Sequence, residues 1–205
     1  MTTIYLAPLH KREDLTRRER ERQALLQLIS GGLIAELPRG TQLGYRSDGA
    51  PLLPPDLGLG ISISHSAHLI ALALFPLGEG RDIGIDIEEE WAQAAKLIRR
   101  VAKPEELQLL HEANVPELLL WCAKEAAFKA HSNSLRVFSK QIELISVSPE
   151  TQSLQVRIKP NEGEERIQVL SYALLQPEET GGHHALLTCT TAEMPPRRFM
   201  TLPAL

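Results

Sequence analysis

The sequence has little of what marks specialised protein classes. Its 205 residues include two cysteines, Cys122 and Cys189, which lie far apart and follow no ligand-spacing pattern, so free thiols in a reducing compartment are predicted. No apolar run approaches the roughly 20 residues of a membrane span. The N-terminus has neither the basic region nor the long apolar core of a signal peptide. These absences predict a cytoplasmic location and no membrane partner.

Charge of one sign and aromatic side chains are also scarce. The 22 basic and 26 acidic residues give a net charge of −4, which provides no basic field of the kind that nucleic-acid binding needs. Nucleic acid is therefore not a predicted partner. Aromatic residues make up 4% of the chain, so the core must consist mainly of aliphatic side chains.

The first part of the chain is predicted to contain a helix followed by strands. A short strand at 3–7 precedes a helix at 14–29. Strands at 60–64, 68–75 and 82–88 follow, and the links between them are short and polar or contain glycine. Three consecutive strands with short links predict an antiparallel meander.

The second part repeats this order. Helices are predicted at 91–101, from 104 onward, and around 121–129. Strands return at 142–147, 154–158, 167–175 and 184–190, and the tail at 194–205 is predicted to be extended and to lie on the surface. The fold class is therefore α+β, with two α+β halves, 1–90 and 91–205, that face each other.

Residues 83–90 alternate strictly between apolar and other side chains. The isoleucines of this segment fall on one face of a strand, while Gly84, Asp86 and Glu88 fall on the other. Two carboxylates therefore lie side by side, and the glycine leaves room next to them. Acids on the exposed face of a strand are common, so this pair alone does not indicate a site.

A second pattern lies in the helix at 121–129. Trp121, Glu125 and Lys129 are spaced four residues apart and share one helix face. A glutamate four residues before a lysine is the usual helix pair, so this motif alone is also unremarkable in function. Combined with Asp86 and Glu88, it supplies three carboxylates and a lysine, which are the parts of a magnesium–phosphate site.

Four motifs in this order resemble the 4′-phosphopantetheinyl transferases, in particular the single-chain, surfactin-type branch. They are Asp-Gly-Ala-Pro-Leu at 48–52, Ser-His-Ser at 64–66, Gly-Ile-Asp-Ile-Glu at 84–88, and Trp-x-x-Lys-Glu-Ala-x-x-Lys at 121–129. The resemblance implies two α+β halves packed as a pseudo-twofold dimer within one chain, and hence a monomer. It also implies transfer of the phosphopantetheine arm of coenzyme A to a serine of an acyl or peptidyl carrier protein, releasing 3′,5′-ADP, in fatty-acid or secondary-metabolite biosynthesis.

The resemblance also assigns roles to residues. Mg²⁺ would be held by Asp86, Glu88 and Glu125. Glu125 would act as the base for the serine hydroxyl, and Lys129 would contact the pyrophosphate; these two are the predicted catalytic residues. The predicted coenzyme A contacts are Arg22, Ser64, His65, Asp86 and Lys129, with His65 on the 3′-phosphate.

The sequence departs from the family pattern in three ways, and the first two motivate an alternative function. Ala50 stands where many members have a lysine that contacts coenzyme A, and the glycine common shortly after the final lysine is absent from 130–134. The N-terminal arginine that contacts coenzyme A in relatives cannot be aligned uniquely; Arg22 is the preferred candidate, and Arg18 and Arg20 are the alternatives. The alternative function is a non-catalytic module that binds coenzyme A or a carrier protein. A third interpretation is a protein whose acids are merely solvated.

A carrier protein of this family is usually acidic where it docks, so basic surface residues are candidate contacts. The predicted contacts are Arg99, Arg100 and Lys103.

Overall fold

The computed structural model describes residues 1–9, 14–78, 83–89, 94–132, 134–180 and 182–202. Residue 82, where a strand is predicted to begin, and residue 91, where a helix is predicted to begin, lie outside these ranges. Within them the fold is α+β. The strands are β1 (Thr3–Pro8), β2 (Gly44–Tyr45), β3 (Pro51–Leu52), β4 (Leu59–His65), β5 (Leu69–Pro76), β6 (Ile85–Glu89), β7 (Ile142–Ser148), β8 (Ser153–Ile158), β9 (Arg166–Leu175), β10 (Ala185–Cys189) and β11 (Arg197–Phe199). The helices are α1 (Arg17–Ser30), α2 (Ala94–Val101), α3 (Pro104–Glu112), α4 (Leu118–Ala130), α5 (Phe138–Gln141) and α6 (Pro177–Thr180), with a 3₁₀ turn at Pro55–Leu57.

The strands form two main sheets. The first has the order β11-β1-β5-β4 and the second the order β6-β10-β9-β8-β7, while β2 and β3 form a small separate hairpin. The pairs are antiparallel except β1 with β11, which run parallel. The predicted extended tail therefore adds a strand to the first sheet. Among the described residues, no helix has the length and apolar character needed to cross a membrane.

The predicted three-stranded meander is wrong in its third member. The β4–β5 hairpin is confirmed, but β6 pairs with β10 in the second sheet. On its other edge, the backbone N–H groups of Ile85 and Ile87 donate to the hydroxyls of Ser62 and Ser64, at 3.1 and 3.3 Å. Because serine side chains of β4 satisfy these donors, β6 lies beside the hairpin without joining its ladder.

Three apolar clusters stack the layers in order. One joins α1 to the face of the first sheet that presents Tyr5. A second lies between the two sheets and contains Ile4 from β1 and Ile85 and Ile87 from β6. A third joins the outer face of the second sheet to α2, α3 and α4. The layers are therefore helix, sheet, sheet, helix. The predicted boundary between two halves at residue 90 stays a prediction. Strand β6 of the first part joins the second sheet, and β11 of the second part joins the first sheet.

Candidate active site beside strand β6

Asp86 lies at the centre of the predicted site. It is 3% exposed, and its Oδ1 accepts hydrogen bonds from Ser64 Oγ and Lys129 Nζ at 2.7 and 2.8 Å. Lys129 also donates to the carbonyl of Ile85 at 3.1 Å. The second oxygen, Oδ2, is buried and has no hydrogen-bond partner among the residues that the structure describes. A buried oxygen without a donor is costly, so this atom is suited to binding a cation.

Gly84 allows α4 to approach β6 closely. A Cβ atom at this position would lie 1.9 Å from the carbonyl oxygen of Ala126 and 2.7 Å from the amide nitrogen of Ala130. Residues with a side chain are therefore excluded unless the helix moves. The glycine in the Gly-x-Asp-x-Glu motif makes room for helix backbone, which brings Lys129 within reach of Asp86.

Glu88 and Glu125 complete a set of three carboxylates in one electrostatic field. Burial, followed by the charges of Asp86 and Glu125, raises the pKa of Glu88 to about 8, although Trp121 Nε1 donates to its Oε1 at 3.2 Å. Burial and the charge of Asp86 likewise raise the pKa of Glu125. The structure thus brings together Asp86, Glu88, Glu125 and Lys129, which we call the acid site. It combines three carboxyl groups with Lys129, which pairs with Asp86.

Trp121 contributes to this site and to packing. Its ring meets that of Phe138 edge-on at 5.5 Å, while its N–H faces Glu88. A tryptophan at helical spacing is more often a core residue; Trp121 combines such packing with a direct hydrogen bond to the acid site.

His65 lies at the end of β4, against α1. Its Nδ1 is 3.2 Å from Glu21 Oε1 and 3.3 Å from the guanidinium of Arg17, which also donates to the carbonyl of Ser66. Burial and the positive charges of Arg17 and Lys129 lower the pKa of His65 despite the carboxylate of Glu21. Arg17 belongs to the Arg/Glu-rich run at 17–22, whose pattern is typical of a solvated helix face, so the sequence does not distinguish it as a site residue.

A cleft of about 1210 Å³ opens beside His65. Its lining includes Arg18, Arg22, Tyr45 and His65, and we call it the arginine cleft. Of the three candidate arginines, Arg20 is not among the described lining residues. A smaller cavity of about 310 Å³ contains Lys129. The two share Gly49, Pro51 and Ile63, so one concave surface runs from α1 to the acid site.

A family model described as the 4′-phosphopantetheinyl transferase superfamily matches residues 82–188. The match covers just over half of the chain and contains the whole acid site. The chain belongs to this superfamily. A curated relative, the 4′-phosphopantetheinyl transferase HetI of Nostoc sp. (strain PCC 7120 / SAG 25.82 / UTEX 2576), is 29% identical over 145 residues. That alignment covers 65% of this chain and 59% of the relative, so the chain spans less than two thirds of the relative's length.

The motif at 121–129 contains a second lysine, Lys124, which lies away from the acid site and pairs with Glu106. Lys124 is fully buried, and its Nζ lies 2.8 Å from Glu106 Oε1 and donates to the carbonyl of Val101 at 3.1 Å. The other contacts of Glu106 include the backbone N–H groups of Lys103 and Leu144. Lys124 therefore joins α4 to α3 and β7 as a structural ion pair.

The departure at Ala50 also has a structural context in this superfamily member. Ala50 lies in a tight turn, where its carbonyl accepts from the Arg46 amide at 2.8 Å. The Arg46 guanidinium contacts Asp48 and Ser132 at 2.7 and 2.8 Å and lines the same cavity as Lys129. A cation is thus present close to the position where many members carry their lysine.

The raised pKa of Glu88 predicts how the metal-free protein responds to pH. The folded state binds more protons than the unfolded state between the ordinary pKa of 4.5 and about 8, so stability falls as the pH rises through that interval. We expect millimolar Mg²⁺ to raise the unfolding temperature more at pH 8 than at pH 6. Thermal unfolding of wild type and Glu88→Gln measures this. A metal effect that does not change with pH in wild type would contradict the prediction.

Proposed function

We propose that this protein transfers the 4′-phosphopantetheine arm of coenzyme A to a serine of an apo carrier protein and releases 3′,5′-ADP. The observation that carries the proposal is the acid site, in which three carboxylates and a lysine meet beside one concave surface in a member of this superfamily. A serine hydroxyl would form a new bond to the β-phosphorus, and the bond from that phosphorus to the 3′,5′-ADP oxygen would break.

Mg²⁺ is the proposed cofactor, and Asp86, Glu88 and Glu125 are the residues that would hold it. Three features fit this ion. The donors are the carboxylate oxygens that Mg²⁺ prefers, and Asp86 Oδ2 is buried without a hydrogen-bond partner among the described residues. Burial, followed by repulsion from Asp86, raises the pKa values of Glu88 and Glu125. When bound, such an ion neutralises and orients a pyrophosphate.

The protein's own groups would perform two further tasks. Lys129 Nζ, now 2.8 Å from Asp86 Oδ1, would contact the pyrophosphate as a compact charge. The Glu125 carboxylate would accept the proton of the serine hydroxyl. Its raised pKa makes it a better base than an ordinary glutamate, because catalytic pKa values near the working pH are the most effective.

The arginine cleft is the proposed site for the nucleotide part of coenzyme A. His65 and Arg22 would contact its phosphates, with His65 on the 3′-phosphate, and Tyr45, which is 62% exposed, offers a ring for stacking. Arg17 lies beside His65 and adds positive charge. Ser64 remains a proposed coenzyme A contact, and its bond to Asp86 gives it a second task of orienting that carboxylate.

We extend the proposal to the whole chain on the same grounds. The two stacked sheets, each with a long helix on its outer face, support the pseudo-twofold arrangement of the surfactin-type branch and hence a monomer. A cytoplasmic location and a carrier from fatty-acid or secondary-metabolite biosynthesis complete this proposal.

The direct test is loading of apo carrier proteins with labelled phosphopantetheine at millimolar Mg²⁺. We expect incorporation on at least one of a panel of acyl and peptidyl carriers, with 3′,5′-ADP released in equal amount. The alternative, a non-catalytic binding module motivated by Ala50, would bind coenzyme A in calorimetry and release no 3′,5′-ADP. Failure with every carrier would refute the transferase proposal.

Restoring the family's lysine is expected to strengthen coenzyme A binding. In Ala50→Lys the added cation would enter the cavity that already holds Arg46 and Lys129. We expect the KM for coenzyme A to fall about 5-fold, the equivalent of about 1 kcal/mol, with kcat little changed. Steady-state kinetics measures this, and Ala50→Met is the control of similar length without charge. Equal effects of both substitutions would show that charge is not the cause.

The carrier protein is proposed to approach Glu88 through a cleft other than the cavity that contains Lys129. This cleft has a volume of about 870 Å³, and we call it the apolar cleft; its lining includes Glu88, Ile98, Leu118, Leu174 and Leu186. Exposed Arg99 and Arg100 lie on α2, the helix that contributes Ile98. An acidic carrier surface with an apolar centre would suit this combination, and it would place the serine near the acid site.

A negative charge introduced into the apolar cleft tests this docking side. Leu174 is 46% exposed at the apolar cleft, whereas Ile167 on the same strand is 61% exposed and outside its described lining. We expect Leu174→Glu to raise the KM for the carrier by at least about 5-fold and leave the KM for coenzyme A unchanged, because a carboxylate there repels an acidic partner. Ile167→Glu is the matched control. An equal effect of the two variants would refute this docking side.

A further inference from the structure

A second cluster of potential metal ligands lies behind the acid site. It consists of His68 in the β4–β5 turn, Glu89 at the end of β6, and His183 in the segment before β10. Glu89 follows Glu88 directly and therefore projects from the opposite face of the strand. Among the described residues, this is the group whose three ligand atoms lie within 4.8 Å of one another. The acid site is not such a group.

Both histidines direct the same nitrogen at one carboxylate oxygen. The Nδ1 of His68 is 2.9 Å and that of His183 is 3.4 Å from Glu89 Oε1. The two rings are stacked, with centroids 4.1 Å apart and an angle of 5° between their planes. Two ring nitrogens thus lie within 3.4 Å of one carboxylate oxygen, and the three ligand atoms lie within 4.8 Å of one another. Because the ring planes are parallel, one ring would turn when both nitrogens bind the same ion.

The carboxylate is held in place from behind. Its other oxygen, Oε2, accepts from Ser66 Oγ at 2.5 Å and from the His68 amide at 2.8 Å. These bonds fix the orientation of Glu89 and leave Oε1 for the histidines. Hydrogen bonds of this kind to a ligating carboxylate are typical of metal sites, where they orient the ligand.

The cluster is both anchored and accessible. The Glu89 side chain is 11% exposed, whereas the side chains of His68 and His183 are 44% and 36% exposed. Solvent therefore reaches both imidazole rings, so an ion can approach the cluster from the surface.

We propose that His68, Glu89 and His183 bind one divalent transition-metal ion, with Zn²⁺ as the expected species. Bonds of about 2.0–2.1 Å in a tetrahedral site separate ligand atoms by about 3.3 Å, close to the distances of 2.9 and 3.4 Å found here. Two imidazoles and one carboxylate match the ligand sets of three-residue zinc sites, in which water takes the fourth position. Mg²⁺ prefers oxygen ligands and suits the acid site instead.

Such an ion would connect the two sheets. His68 belongs to the turn of the first sheet, while Glu89 and His183 flank the β6–β10 pair of the second. A bound ion would stabilise the folded state and hold the strand that carries Asp86 and Glu88. This inference does not depend on the proposed transferase activity.

The test uses the full chain stripped of metals with a chelator. We expect one equivalent of Zn²⁺ to bind in calorimetry and to raise the unfolding temperature, and Co²⁺ to give the visible spectrum of a tetrahedral nitrogen–oxygen site. His183→Ala should weaken Zn²⁺ binding by more than about 10-fold, the lower end of what outer partners of a metal site cost. His184→Ala, the neighbouring and exposed histidine, should bind as wild type does.

Two further variants separate this site from the acid site and from misfolding. Glu125→Gln should retain Zn²⁺ binding; loss in that variant would place the ion at the acid site and overturn the proposal. Glu89→Gln keeps the shape of the side chain and should lose the Co²⁺ spectrum while its circular dichroism stays unchanged. Equal Zn²⁺ affinity of His183→Ala and His184→Ala, or binding of no Zn²⁺ at all, would also overturn it.

Discussion

Glu125→Gln is expected to lower kcat for phosphopantetheine transfer by about 10²–10⁴-fold, the range that a general base contributes. Glutamine keeps the size of the side chain and removes both the negative charge and the ability to accept the serine proton. Because Glu125 is half-buried on α4 beside Asp86, the loss of one of three repelling carboxylates should leave the fold intact or stabilise it. Single-turnover transfer and thermal unfolding measure the two effects.

A matched control for this variant is Glu112→Gln. Glu112 lies at the end of α3 and accepts a hydrogen bond from Gln108 on the exposed surface. It should transfer at the wild-type rate. Wild-type turnover in Glu125→Gln would exclude Glu125 as base and as metal ligand, whatever the outcome for the other acids.

Lys124→Met is expected to destabilise the protein by about 3–5 kcal/mol, which is the cost of leaving one partner of a buried ion pair unpaired. The Lys124 and Glu106 side chains are 0% and 1% exposed, so the remaining carboxylate has no access to water. Chemical denaturation measures the loss. Transfer per folded molecule should stay close to that of wild type, because Lys124 faces α3 and not the acid site.

The double variant Lys124→Met/Glu106→Gln distinguishes ion pairing from simple packing. Removing the second charge should recover part of the lost stability, since no unpaired charge remains. The backbone N–H groups of Lys103 and Leu144 donate to different oxygens of Glu106, and glutamine can accept only one of these bonds, so the recovery should be partial. If the double variant is as unstable as the single one, the loss of stability comes from poor packing of the methionine and not from the unpaired charge. A stable single variant that fails in transfer would instead make Lys124 a catalytic residue.

Local patterns in the sequence carried much of this structure. The strict alternation at 83–90 predicted a strand, and the four-residue spacing of Trp121, Glu125 and Lys129 predicted one helix face; the structure has β6 and α4 there. Both signals depend on residues that are neighbours within one element. The acids and the lysine could therefore be found from the sequence, although their contact with one another was inferred from motif order.

Partner choice could not be predicted in the same way. Strand β6 has a short link to β5 and yet pairs with β10, which is distant in sequence. Nothing in its own residues specifies that pairing, because both its faces are largely buried and either neighbour would satisfy its backbone. The hydroxyls of Ser62 and Ser64 in β4 accept hydrogen bonds from the β6 amides, so these amides need no partner in the β4 backbone.

The same limit applies to residues whose partners are distant. In the sequence, His183 lies in a glycine-flanked turn with no further ligand residues nearby, a pattern typical of a loop. His68 and Glu89 reach it through the two sheets. Arg17 meets His65 by a similar long-range contact. A charged run or a lone histidine gives no local sign of such a partner.

The pairing of strands far apart in the chain also affects how the protein folds during synthesis. Ile4 in β1 pairs with Arg197 in β11, and Glu89 in β6 pairs with Ala185 in β10. Contacts between such distant residues must overcome a large loop-closure entropy, so they form slowly. On the ribosome, β6, with Asp86 and Glu88, cannot pair until β10 has emerged. We therefore expect metal-dependent protection from proteolysis to appear late in translation, after both β10 and β11 are available.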